Sequence, residues 1–193
     1  MTYIPDMAPY FYSMCFEPVT RAIGWLDHPH TYPTGPVDGA VLDRLWSLCS
    51  TRDFVSLNFS HRGAHSCSLC PPHHNVGLLF HYGGQEAFLG SAEIRVFDPD
   101  GEVYAAPNLI MHYICDHHYQ PPSAFCAALC VGPHVESDAY QVAIRRLAMW
   151  RYASMPFGLE YSFGVSLPFT REQVAGLSAL ELLVFLSSEM GAI

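Results

Sequence analysis

The sequence predicts an α+β protein: a small antiparallel sheet, a treble-clef-like knuckle–hairpin–helix zinc module, and a helical C-terminal third. Three observations carry this. Strand-like stretches at 76–82, 86–97 and 102–105 cluster mid-chain. Helical apolar spacing lies on either side, over 37–49 and from 108 onward. Two pairs of metal-type side chains, Cys67-Ser-Leu-Cys70 and His112-Tyr-Ile-Cys-Asp-His117, bracket the strands.

Length and composition set the frame. The 193 residues suit one domain with a real core, and the simplest organisation is a single α+β domain over 1–193. Half the residues are hydrophobic and 14% are charged, which excludes a disordered chain. No apolar run reaches the roughly 18 residues of a membrane span, so no membrane partner is expected. The start, Met1-Thr-Tyr-Ile-Pro-Asp, lacks a basic region followed by an apolar run, so a cytoplasmic location is expected. The formal charge is −9 and lysine is absent, which argues against nucleic acid as a partner. Arg145, Arg146 and Arg151 form the clearest basic cluster and read as one solvated helix face.

The elements follow in order. Residues 1–36 are rich in Pro, Tyr and Phe and read as an extended, turn-punctuated segment with a short buried strand at Gly24-Trp25-Leu26. Residues 37–49 place Val41, Leu42, Leu45, Trp46 and Cys49 on one helical stripe capped by Asp38. Residues 53–59 alternate as a strand does. Asp98-Pro-Asp-Gly101 is a turn sequence, so the stretches on either side of it form a hairpin. Pro107-Asn108 opens a helix over 108–118, Pro121-Pro122 ends it, and Ser123 caps a second over 124–131. A helix over 137–153 starts the C-terminal part, 137–193. A strand within 155–169 and short helices at 171–176 and 179–189, each opened by a capping box, complete it.

The metal module spans 60–118. Thiolate and imidazole are the donors zinc prefers, and four of them close a structural site. Cys67 and Cys70 are spaced so that one turn aims both sulfurs at one point. His112 and His117 are five apart, about 140° around a regular helix, so the helix must loosen near His117 for both to meet one ion. The intervening residues, 71–111, are too many for a small zinc finger. His61 and His65 are alternate ligands, and His73, His74, His81 and His118 also lie near in sequence. Three protein ligands instead of four would leave a coordination position open for catalysis. The remaining cysteines, Cys15, Cys49, Cys115, Cys126 and Cys130, sit among apolar residues and read as buried small hydrophobes.

Several stretches resemble an uncharacterised bacterial family of small proteins. They are Gly24-Trp25-Leu26, Arg62-Gly63-x-His65-x-Cys67-x-x-Cys70, Gly90-Ser-Ala-Glu-Ile-Arg-Val96, Tyr104-Ala-Ala-Pro-Asn-Leu-Ile110 and His112-Tyr-Ile-x-x-His117-x-Tyr119-x-Pro121-Pro122-x-x-Phe125. The likeness runs over about 1–130. Ser91-Ala92 stands where the family commonly has Asn-Gly. The resemblance implies that the cysteine pair and the two histidines belong to one recurring pattern, and it implies no activity.

The expected function is a zinc-binding protein whose ion is mainly structural, acting as a binding or accessory module for a protein or small molecule. A small metalloenzyme with an open coordination site is the first alternative. The second is a CxxC thiol redox protein, against which Pro71-Pro72 and His73-His74 stand, since no helix is expected to start after Cys70. Glu93 and Arg95, on one face of a strand, read as a solvent-exposed ion pair worth little. Gly83-Gly84 is too short for a phosphate-binding loop.

Overall fold

The computed structural model describes residues 3–12, 15–51, 65–71, 78–144 and 147. The expected strand at 53–59, the elements after 153, the side chain of Cys15, and His61, His73 and His74 lie outside these residues.

Among the described residues, two sheets and four helices make an α+β arrangement. The larger sheet has the order β1-β2-β6-β5, with β1 Pro9–Tyr12, β2 Cys15–Ala22, β5 Glu93–Phe97 and β6 Val103–Pro107. A separate hairpin pairs β3 Leu78–Tyr82 with β4 Gln85–Leu89. The helices are α1 Gly39–Cys49, α2 Ile110–His117 and α3 Ser123–Val131, and a fourth begins at residue 138. Among the described residues no helix is long and apolar enough to cross a membrane.

The expected sheet was antiparallel, but the observed one is mixed. β2 runs parallel to β6, with Thr20 opposite Val103 and Ala22 opposite Ala105. The N-terminal segment therefore supplies two strands, and the residues expected as a strand at 24–26 contribute one bridge, Trp25 to Ile4. The stretch 86–97 is two strands, broken where Gly90 turns to φ 94°. The β3–β4 hairpin closes through Gly83-Gly84, both at positive φ (56° and 77°), as a tight two-residue turn demands.

Local chemistry explains most boundaries. The Asp38 carboxylate accepts the Ala40 N–H at 2.8 Å and caps α1. Asp98 accepts the Asp100 and Gly101 amides, forming the expected turn between β5 and β6. Ser123 does not cap α3, because Pro122 occupies the cap position and offers no side-chain acceptor. The Ser137 hydroxyl accepts the Tyr140 N–H at the start of the fourth helix.

The main core gathers Val41, Leu45 and Trp46 of α1, Ile94 and Val96 of β5, Ile110 and Tyr113 of α2, and Phe125 and Leu129 of α3. The β3–β4 hairpin lies on α1: Phe80 and Tyr82 flank Trp46, whose indole donates to Gln85 Oε1 at 2.9 Å. Arg44 of α1 donates to the carbonyls of Leu129 and Gly132, tying down the end of α3. Of the cysteines read as buried, Cys49 is buried, Cys115 and Cys126 are partly so, and Cys130 is exposed.

The other face of the large sheet is buried too, under Tyr10, Ala22, Trp25 and Ala105. Glu93 and Arg95 point to this side, so the expectation of an exposed pair is corrected: both side chains are 0% exposed and 2.9 Å apart. Tyr10 donates to the same Glu93 oxygen, the Arg95 guanidinium lies 4.9 Å from the Tyr10 ring centroid, and Tyr140 donates to the Arg95 carbonyl. Alternation along β5 looked like a solvent face only because the layer over it is not visible in β5's own residues.

Two stability outcomes follow from these contacts. Arg95→Ala takes the guanidinium away from a buried carboxylate and lowers unfolding free energy by about 3–5 kcal/mol in urea titration, whereas an apolar double replacement of Glu93 and Arg95 costs far less. Asp6 accepts from Gly24 N–H and Tyr119 O–H, yet burial outweighs both bonds and raises its carboxyl above the ordinary 3.8. The folded state thus holds the proton more tightly, and that stabilisation is full below pH 3.8 and lost as pH rises through the folded value. Compared with Asp6→Asn, the native chain gains relative stability on acidification; parallel pH profiles of the two would contradict this.

Candidate metal centre

Cys67 and Cys70 lie on a short turn, and backbone N–H groups of Leu69 and Cys70 point at the Cys67 sulfur. Three anchors place this knuckle. The Ser68 hydroxyl donates to Asp27 at 2.5 Å and accepts the His28 N–H at 3.0 Å. The His65 N–H donates to the Gly90 carbonyl at 2.7 Å. Gly90 N–H in turn donates to the buried Asn108 Oδ1 at 2.7 Å, and Asn108 N–H donates to the Ala92 carbonyl. The knuckle is therefore hung, through Gly90 and Asn108, on the residues that lead into α2.

Gly90 can be nothing larger. At φ 94°, a Cβ there would sit 2.4 Å from the His65 carbonyl oxygen. Neither Gly90 nor Asn108 stood out as a site residue in the sequence. Gly90 stands there only inside the strand-like stretch 86–97 and at the head of the Gly90–Val96 motif, and Asn108 reads as a helix opener. In the structure Leu109 occupies the cap position of α2 without a side-chain bond, and the Asn108 amide serves Gly90 instead.

α2 supplies the second pair. His112 is buried at 2% exposure and His117 is the last helical residue. The helix does loosen at its end: His118 is left-handed (φ 56°), and its N–H reaches back five residues to the Tyr113 carbonyl, where a regular turn spans four. Tyr119 N–H returns to the same carbonyl. This wide final turn swings His117 round to the side of His112, and their rings meet edge to face at 4.8 Å.

The four donor atoms converge. His117 Nε2 lies 3.3 Å from Cys67 Sγ, 3.3 Å from Cys70 Sγ and 3.2 Å from His112 Nε2. His112 Nε2 is 3.3 Å from Cys70 Sγ, and all four donors fall within 4.8 Å of one another. Sulfur at about 2.3 Å and nitrogen at about 2.0–2.1 Å around one tetrahedral centre would be about 3.3–3.8 Å apart. The four pairs at 3.2–3.3 Å are close to the spacings of such a shell, so the cluster could hold a metal ion. His112 Nδ1 is 2.6 Å from Asp116 Oδ2, one turn along α2, which leaves Nε2 as the nitrogen turned to the cluster.

Without a cation, burial pushes the Cys67 thiol up to about 11 and His117 below its ordinary 6.5. A divalent ion reverses the first effect by stabilising thiolate, and the second already favours the neutral imidazole that metals bind. Tyr113, packed beside both cysteines, is likewise raised by burial. Of the alternate ligands, His61 lies outside the described residues and His65 is not among the four converging side chains. The order along the chain is knuckle, two hairpins, then helix.

The family model described as a domain of unknown function, DUF7919, matches residues 2–130, and the chain belongs to that family. All four converging residues, Gly90, Asn108 and the elements that carry them fall within the match. No curated protein and no solved structure matches the chain.

The Gly90 hinge makes a direct prediction. Gly90→Ala forces both an unfavourable φ and a backbone clash, and should destabilise by about 2–3 kcal/mol or more. Asn108→Ala, which strips a buried acceptor from the Gly90 amide and a long donor from the Phe88 carbonyl, should cost about 1–3 kcal/mol. Denaturant titration of the two variants checks the order; an Ala at 90 that is tolerated would remove the close approach from the account.

Proposed function

We propose, for a member of a family that carries no assigned activity, that this chain is a zinc protein. The ion is mainly structural, and the protein acts as a binding or accessory module. The observation that carries the reading is the convergence of Cys67, Cys70, His112 and His117, from two segments far apart in sequence, with four of their donor pairs at 3.2–3.3 Å and all four donors within 4.8 Å of one another. Two thiolates and two imidazoles are the donor set of structural zinc, and they neutralise the ion's charge. In this reading zinc clamps the knuckle to α2, and with it the 65–71 turn to the main core. The binding free energy of such sites, roughly 10–16 kcal/mol in small zinc peptides, exceeds the whole stability of a typical domain.

The chemistry of the cluster bears on the alternatives. Four protein donors leave no vacant corner of a tetrahedron, which favours a structural role over a hydrolytic one. A redox CxxC needs a thiol activated well below its ordinary value, whereas burial moves Cys67 the other way. The six described cysteines are unpaired, as a reducing, cytoplasmic compartment would keep them. The −9 charge and the absence of lysine favour a protein or small-molecule partner over nucleic acid.

Elemental analysis of the purified chain tests the reading. About one equivalent of zinc should survive dialysis, and Cys67→Ala or His112→Ala should remove both the zinc and the cooperative unfolding transition. A chain that folds equally well without metal, or that cycles reversibly through a Cys67–Cys70 disulfide, would overturn it.

A further inference from the structure

The two imidazoles of the cluster are built differently. His112 is buried, stands in the first turn of α2, and has Phe80 edge-on to its ring at 6.3 Å. Its Nδ1 is held by Asp116 at 2.6 Å. A carboxylate on that nitrogen fixes the tautomer, stops the ring from turning and makes Nε2 a stronger donor. His117 is partly exposed and ends the helix beside a left-handed residue. Its Nε2 touches the other three donors, but its Nδ1 has no hydrogen-bond partner among the described residues.

From this asymmetry, and resting on the zinc reading, we infer that Asp116 is a positioning residue that makes His112 the permanent imidazole ligand, and that His117 is an exchangeable corner open to a small neutral nitrogen donor. The exchange is favourable in charge terms. With two thiolates on a divalent ion the site is neutral, so one neutral imidazole can leave and another enter without uncompensated charge. It is also favourable sterically, because the ring that leaves sits at the exposed end of α2, and its departure disturbs no bond at Nδ1. The Nε2 coordination breaks and the incoming nitrogen lone pair replaces it. No electrons or protons change hands.

Cobalt(II) in place of zinc, with imidazole as the probe, tests this in the full chain. The native protein should bind one cobalt with tetrahedral d–d and thiolate charge-transfer bands. His117→Gly should keep the cobalt with shifted bands and reduced affinity, and regain the native spectrum when imidazole is added. His112→Gly should lose the bands, and imidazole should not restore them. Asp116→Asn should weaken binding by about 10–100-fold, and in the zinc-loaded protein should remove the exchange-protected Nδ1 proton of His112 while leaving His117 resonances in place. That selective loss is something a general destabilisation would not produce. If His117→Gly does not fold alone, refolding it with cobalt and imidazole together applies the same criterion, and failure there counts against the inference. Equal loss in the two histidine variants, or native behaviour of Asp116→Asn, overturns the inference while the metal reading stands. A native chain that binds neither cobalt nor zinc overturns both.

Discussion

The hydrogen bond from His65 N–H to the Gly90 carbonyl is the contact on which the arrangement of the cluster depends. Cys67 lies two residues after His65, and Asn108, which holds Gly90 from the other side, lies four before His112. One backbone approach therefore sets the distance between two ligand pairs that the chain separates by 41 residues, 71–111. The approach is possible only because position 90 carries no Cβ. The positions of the four donors are set by backbone contacts as well as by the side chains themselves.

The rest of the molecule gives that approach a rigid background. Gly90 sits between β4 and β5, and Asn108 follows β6, so both report the register of the β5–β6 hairpin directly. That hairpin is held on one face by α3 and the fourth helix and on the other by Tyr10, Trp25 and the Glu93–Arg95 pair. A buried ion pair adds little net stability against apolar residues of like volume, but it penalises any arrangement that leaves one partner alone. In β5 the two charges sit on alternate residues, so a one-residue slip would turn both into the opposite, apolar layer. The pair thus ties strand register to the position of Gly90 three residues upstream.

What could be read from the sequence was what is local. Helix α1 announced itself through its apolar stripe and Asp38, and the β5–β6 turn through Asp98 and Gly101, because each depends on neighbours within a few residues. The four converging donors were legible for a similar reason: side-chain chemistry and short spacing narrow the options before any fold is known. Asp116 carried an equally short signal, four residues after His112, that is obvious only once His112 is read as a ligand. The strands β1 and β2 were not legible. β2 joins the sheet through β6, more than 80 residues away, β1 joins it only through β2, and Pro9 and Pro18 within them read as breakers. Glu93 and Arg95 were misplaced on the surface because alternation gives a strand two faces but does not say whether both are covered. Ser123 failed as a cap because the preceding proline took the position.

The parallel pairing of β2 with β6 bears on how the chain is made. A ribosome delivers the N-terminal strands first, yet β2 has no inner neighbour until Val103–Pro107 has left the exit tunnel. For that interval an aromatic-rich two-stranded ribbon has one edge unsatisfied, and closing it requires bridging a loop of about 80 residues. The residues that wait longest for their partner are thus those synthesised earliest. The β5–β6 hairpin and α2 emerge together and can organise by short-range contacts. In a chain made from its N-terminus, the pairing of β2 is therefore completed only after the second strand of the β5–β6 hairpin has emerged.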